Sequence, residues 1–309
     1  MGAKAFAFVG FVLLSFNVQA APSPQLQALV DRTVDHGITY FHSVEKQSVQ
    51  NCPQGRTFIT GKEPWTGKPR DITLNEYEAP GSTRAVIIMP PTGGENIIDN
   101  QWANVLCSKG IRAVIIRSFE LFPEDGFNLN MYDIEALRSL AAIRQTAEYL
   151  QRTGTKSIGL LGTSLGALQG AFATMVDDRI NVATFIVGGL GLGEIAAASQ
   201  EPEQAKLRDI RMQAWHLTQD QYTDKLRQAV HVDAVPYADN PTLAQRKKVL
   251  SIVALKDTYV PTPNQMRLYH VWGDQQLITS DHDHVETVVK AALLHGAAVS
   301  DFFEQNLPK

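Results

Sequence analysis

From about residue 84 onward the chain alternates short apolar, β-branched runs with longer stretches in which apolar positions recur every three to four residues. The runs at 84–89, 111–117, 157–161, 182–187, 249–255 and 276–279 read as strands, most of them nearly continuously apolar, the pattern expected where helices cover both faces of a sheet. Between them, Ile134, Leu137, Leu140, Ala141, Ile143, Ala147 and Leu150 mark one face of a helix, with Gly154 as its stop signal. Strand and helix in regular alternation predict an α/β architecture, a mostly parallel central sheet flanked by helices. Ahead of it, 40–49 and 71–77 look like antiparallel strands opening the sheet, and 51–68, with its glycines and prolines, reads as a loop.

The interval between 187 and 249 is far longer than an ordinary connection and must carry structure of its own. Leu207, Ile210, Ala214 and Leu217 are spaced as one apolar helix face, and Tyr222, Leu226 and Val230 as a second. A small helical lid over about 190–240 is expected, with packing against the sheet edge as the alternative.

Composition narrows the class. The chain has 309 residues, 44% hydrophobic and 19% charged, which suits one large domain over 21–309. A net charge of -4 with no basic stripe argues against a nucleic-acid partner, and none is expected. At the start, Lys4, the apolar run 5–16 and the small residues of Val18-Gln19-Ala20 read as a signal peptide cleaved after Ala20. That run is shorter than the roughly 20 residues that span a bilayer, and no Cys follows it for lipidation, so a secreted or periplasmic protein without a stable membrane anchor is expected. The two cysteines, Cys52 and Cys107, are then expected to form a disulfide; an inert buried thiol at Cys107 is the alternative.

Candidate chemistry begins at Gly162-Thr163-Ser164-Leu165-Gly166, which fits G-x-S-x-G. Alone the pattern carries little. Here an apolar strand runs into it and a small-residue helix, 167–175, runs out of it, the strand-turn-helix context that lifts a serine hydroxyl above a sheet. On this motif and the order of its elements over about 80–305, the chain resembles the α/β-hydrolase superfamily.

That resemblance implies a serine nucleophile, then an acid, then a histidine in chain order. Asp257, in Leu255-Lys256-Asp257-Thr258-Tyr259-Val260-Pro261 after the strand at 249–255, stands where the superfamily carries its acid; Glu194 is the competing acid. His284, at the start of the last helical pattern, stands where the base is expected, with His282 as competitor. The first oxyanion donor would be the N–H of Leu165. In the loop Pro90-Pro91-Thr92-Gly93-Gly94 the prolines have no N–H, which leaves Thr92, with Gly93 behind it, as the second; the superfamily often has His-Gly there.

The run Asp281-His282-Asp283-His284 also has metal-ligand chemistry. On an extended chain, however, alternate side chains point to opposite sides and do not close a coordination shell. No metal and no cofactor are expected. The resemblance thus implies hydrolysis of a carboxylic ester or thioester, of a small-molecule or lipid-like substrate, through an acyl-enzyme on Ser164. A peptidase, amidase or acyltransferase of the same fold, or a non-catalytic binding protein, are the alternatives. Leu190, Leu192, Trp215 and Phe119 are candidates for an apolar pocket.

Overall fold

A computed structural model describes residues 21–49, 52–117 and 126–309. The signal peptide read at 1–20, its cleavage after Ala20, and Phe119 lie outside the described residues.

Among the described residues nine strands form one sheet: β1 (Thr39–Val49), β2 (Cys52–Lys62), β3 (Pro69–Tyr77), β4 (Arg84–Met89), β5 (Arg112–Ile116), β6 (Ser157–Thr163), β7 (Ile180–Ile186), β8 (Lys248–Ala254) and β9 (Gln276–Ser280), in the order β1-β2-β3-β5-β4-β6-β7-β8-β9. The first three pair antiparallel and β3 joins β5 antiparallel; from β5 to β9 every pairing is parallel. Around the sheet run α1 (Pro24–Asp31), α2 (Ile97–Ser108), α3 (Asn130–Arg152), α4 (Leu165–Val176), α5 (Leu192–Ala198), α6 (Pro202–Trp215), α7 (Gln219–Ala229), α8 (Val235–Ala238), α9 (Leu243–Arg246), α10 (Thr262–Val271), α11 (His284–Leu294) and α12 (Gly296–Asn306).

The period of two in each strand sends its side chains alternately to two cores. Ala85, Ile87, Met89, Ile158 and Leu160 face the core closed by α1, α3 and α4; Val86, Ile88 and Leu161 face the one closed by α2, α11 and α12. Full burial of each large aliphatic side chain contributes about 2 kcal/mol relative to exposure, so these strands had to read as unbroken apolar runs. α3 ends as expected, with Gly154 in the left-handed region at φ 96°.

Two expectations need correction. The segment 51–68 is not a loop over most of its length: Cys52–Lys62 is an eleven-residue strand. Its buried positions from Gly55 onward alternate as Gly55, Thr57, Ile59 and Gly61, but two of them are glycines and hide the pattern. A Cβ at Gly55 would lie 2.7 Å from the His42 ring, and one at Gly61 would overlap the Gln145 side chain, so a larger residue at either position would have to displace a packed neighbour. Pro53 sits opposite Ser48 beside the register shift of β1, where the ladder is already interrupted.

The second correction concerns the interval after β7, which is helical as expected. Tyr222 and Leu226 of α7, and Val230 after it, are buried. Leu207 of α6 and Leu217 just after it are half-buried against the same cluster, but Ile210 and Ala214 are exposed, and the fully buried positions of α6 are Gln204, Arg208 and Arg211. They are buried because the site supplies acceptors. Arg211 donates to the Gly126 carbonyl (2.6 Å) and to the hydroxyls of Tyr132 (3.1 Å) and Tyr222 (3.2 Å), and Arg208 donates to the Ser199 carbonyl (3.0 Å).

Cys52 and Cys107 form a disulfide, with Cα atoms 6.2 Å apart. It joins the first residue of β2 to the last turn of α2 inside the apolar cluster that holds Trp102 and Leu106. Among the described residues no helix is long and apolar enough to cross a membrane.

Candidate active site

β6 delivers the chain directly into Ser164, whose backbone stands at φ 54°, ψ -121°, a conformation a non-glycine residue adopts only when its surroundings impose it. Here they do. Ser164 N–H donates to the Ile186 carbonyl of β7 (2.9 Å), and α4 begins at the next residue. The flanking glycines are required sterically: a Cβ on Gly162 would lie 2.5 Å from the Gly166 carbonyl oxygen, and one on Gly166 would overlap the carbonyl oxygens of Met89 and Pro90. Close packing at Gly166 therefore draws the loop after β4 against the start of α4.

Ser164 Oγ lies 2.9 Å from His284 Nε2, and His284 Nδ1 lies 2.7 Å from Asp257 Oδ2. All three residues are buried. His284 is the first residue of α11, which is capped by Asp283 accepting from the Glu286 N–H (2.9 Å). The Asp257 carboxylate is fully engaged: Oδ1 accepts from the N–H groups of Tyr259 (2.7 Å) and Val260 (3.0 Å), and Oδ2 also accepts from Gln265 Nε2 (2.8 Å). Gln265 is held in turn, its Oε1 accepting from Ala254 N–H (3.0 Å). The Tyr259 ring covers the imidazole, with centroids 5.0 Å apart and planes at 33°.

The competing residues are engaged elsewhere. His282 accepts from Lys290 Nζ (2.7 Å) and pairs with Glu286 (3.1 Å); Asp281 pairs with Lys256 (3.0 Å). With Asp283 capping α11 and His284 facing Ser164, the four side chains of that run point to four different partners. Glu194 pairs with Arg227 (3.2 Å) and Arg267 (3.3 Å).

Neither protein-family models nor curated proteins match the sequence. Solved structures do match the fold. The chain is similar to acetyl xylan esterase 1 from Thermoanaerobacterium sp. JW/SL YS485 (TM-score 0.64, 14% identity, 93% of this chain and 95% of that one). It is similar to the acetyl xylan esterase from Paenibacillus sp. R4 (TM-score 0.63, 16% identity, 91% and 92%) and to Est1E from Butyrivibrio proteoclasticus (TM-score 0.53, 17% identity, 76% and 94%). The chain has the α/β-hydrolase fold.

In this α/β-hydrolase fold, Ser164, Leu165 and Thr92 line a cavity of about 100 Å³. Gly93 (φ 91°) and Gly94 (φ 84°) turn the loop after Thr92, and Gly94 N–H donates to the Pro91 carbonyl (3.1 Å); the left-handed pair is what glycine permits. The opposite walls come from α3 (Met131, Tyr132, Glu135, Ala136) and from α5 and its successor (Leu192, Ile195, Ala196, Gln204). Of the pocket candidates, Leu192 lines the cavity. Leu190 is core, and Trp215 packs instead against Phe127 and Tyr222 with Lys225 over its ring.

Three contributors were missed from the sequence. Gln265 and Tyr259 lie near Asp257 in the chain, yet no motif marks a residue that supports another residue. Tyr132 lines the cavity from a helix whose apolar pattern began only at Ile134, and nothing in the pattern separates it from a core tyrosine.

Proposed function

We propose that this chain is an exported serine hydrolase that cleaves carboxylic esters of small molecules through an acyl-enzyme on Ser164. The observation that carries the reading is the unbroken hydrogen-bonded series Ser164, His284, Asp257 beside a largely apolar cavity. As Oγ attacks the ester carbonyl, His284 Nε2 takes its proton. Asp257, accepting from Nδ1–H, holds the tautomer whose lone pair faces Ser164 and stabilises the imidazolium.

The oxyanion is held by the N–H groups of Leu165 and Thr92. Leu165 opens α4, where unpaired N–H groups and the helix dipole favour negative charge. His284 then returns the proton to the leaving alcohol, and a water deprotonated by His284 attacks the acyl carbonyl and releases Ser164. The chemistry calls for no cofactor.

The esterase names of the structural neighbours agree with this reading. α5 and α6 form part of the cavity's wall, in keeping with a helical lid over about 190–240. The leader-like run at 5–16 and the Cys52–Cys107 disulfide support the exported part of the reading.

The test is hydrolysis of p-nitrophenyl butyrate by the protein beginning at Ala21, beside three variants. Ser164→Ala and His284→Ala are expected to lose on the order of 10³-fold or more in kcat, while His282→Ala stays within about threefold because its side chain faces Lys290 and Glu286. A wild type without turnover, or a Ser164→Ala variant that keeps its rate, refutes the reading.

A further inference from the structure

Behind the cavity at Ser164 lies a second, of about 30 Å³, walled by Phe172, Val232 and Ala234. Ala136, Leu168, Gln169 and Leu192 line both. These four residues are therefore the partition between the two spaces, and two of them are large aliphatic side chains.

The partition is firmly held. Leu168 and Phe172 are four residues apart on α4 and so share one face of it, about 6 Å apart along its axis; Leu168 lines the cavity together with Ser164. Leu192, the first residue of α5, has its N–H fixed by Asp233 Oδ2 (2.6 Å), and its side chain packs on the apolar group of Leu168, Ile195 and Val260. Asp233 also accepts from Val235 N–H (3.0 Å), which ties the rear wall of the second cavity to the same carboxyl group.

Direction follows from chemistry. The leaving oxygen must face His284 Nε2, beside the Tyr259 ring; an acyl group directed away from that nitrogen would enter the part of the cavity walled by α3, α4 and α5, where the partition stands.

We propose that Leu168 and Leu192 set the acyl-length limit of this site: acetyl to butyryl groups fill the space in front of them, and longer chains are excluded from the apolar chamber behind. The proposal rests on the ester-hydrolase reading above and deepens it. Removing either side chain joins the two cavities into one continuous acyl channel ending at Phe172, Val232 and Ala234.

The experiment measures kcat/KM for p-nitrophenyl acetate, butyrate, hexanoate and octanoate with wild type, Leu168→Ala, Leu192→Ala and the double variant Leu192→Ala/Ala234→Leu. Wild type is expected to drop at least tenfold from butyrate to octanoate. Leu192→Ala and Leu168→Ala are each expected to raise the octanoate-to-butyrate ratio about tenfold, and Ala234→Leu, by refilling the rear chamber, to return it toward the wild-type value. A ratio is read within one preparation, so partial unfolding of a variant does not mimic the effect.

Active wild type with a flat chain-length profile, a ratio unmoved in both leucine variants, or an Ala234→Leu change without effect on the Leu192→Ala ratio overturns the partition while leaving the ester-hydrolase reading intact. Wild type inert toward every ester overturns both.

Discussion

Asp99 offers the sharpest test of the electrostatics around the loop that carries Thr92. It stands in the first turn of α2 with no exposure to solvent. One carboxyl oxygen accepts from Asn96 N–H (2.9 Å) in a capping box; the other, Oδ1, has no hydrogen-bond partner. Burial, with a smaller contribution from the neighbouring Glu95 carboxylate, pushes its pKa up to about 7 from 3.8.

The sign follows from proton binding. Between about pH 4 and 7 the folded protein holds a proton that the unfolded chain has released, so this residue makes stability fall as pH rises through that window. Above pH 7 the whole penalty is present. At 1.36 kcal/mol for each pKa unit, the gap amounts to roughly 4 kcal/mol at most.

Asn is the isostere of the protonated acid and keeps the oxygen that accepts from Asn96. Asp99→Asn is therefore expected to be nearly neutral at pH 4 and to stabilise the protein increasingly up to pH 8, by about 2 kcal/mol or more. The assay is urea denaturation of both proteins at several pH values, compared as differences so that every other carboxylate cancels. A difference independent of pH, or one that grows on acidification, refutes the assignment of a raised pKa to Asp99.

Other expectations are as direct. Replacing both Cys52 and Cys107 by Ala opens a loop spanning 55 positions and should cost about 4 kcal/mol by the chain-entropy relation, read as a lower denaturation midpoint that reductant reproduces in the wild type. Gln265 is a positioning residue: it donates to Asp257 Oδ2 and is itself anchored on Ala254 N–H. Gln265→Leu should lower kcat about tenfold with little change in KM and displace the acid limb of the pH–rate profile, whereas Gln265→Glu, which keeps an acceptor for Ala254 but places a second carboxyl group against Asp257, should displace that limb toward higher pH. An unchanged pH profile in both variants removes the residue from the site.

How much was legible follows from where the signal resides. β4 and β6 and the turn at Ser164 are local: apolar runs, a small-residue helix and glycines whose absent Cβ atoms admit neighbouring backbone. The first sheet strands were read only in part. β2 escaped because an alternation was written with glycine at Gly55 and Gly61, where His42 and Gln145 supply the bulk. The face of α6 was read only in part: Leu207 and Leu217 pack on the apolar cluster, but a helix turned toward acceptors buries Arg208 and Arg211 instead of Ile210 and Ala214, and of those acceptors, Gly126, Tyr132, Ser199 and Tyr222, two are far away in the chain. A hydrophobic pattern records only what faces oil.

By itself, then, the sequence determined an α/β chain with a strand-turn-helix serine and an acid and two histidines downstream in the right order, because period and steric exclusion act between neighbours in the chain. Only the tertiary structure decided that His284 rather than His282 stands at Ser164, and that Asp257 rather than Glu194 stands at His284. A single residue, Asp283, separates the histidines in the chain, and the start of α11 rotates one toward Ser164 and leaves the other to Lys290 and Glu286. Glu194 and Asp257 both follow parallel strands, but α5 presents the first to Arg227 and Arg267. Hydrogen bonds reach only about 3 Å, and which groups come that close is fixed by how distant elements pack, not by their order along the chain.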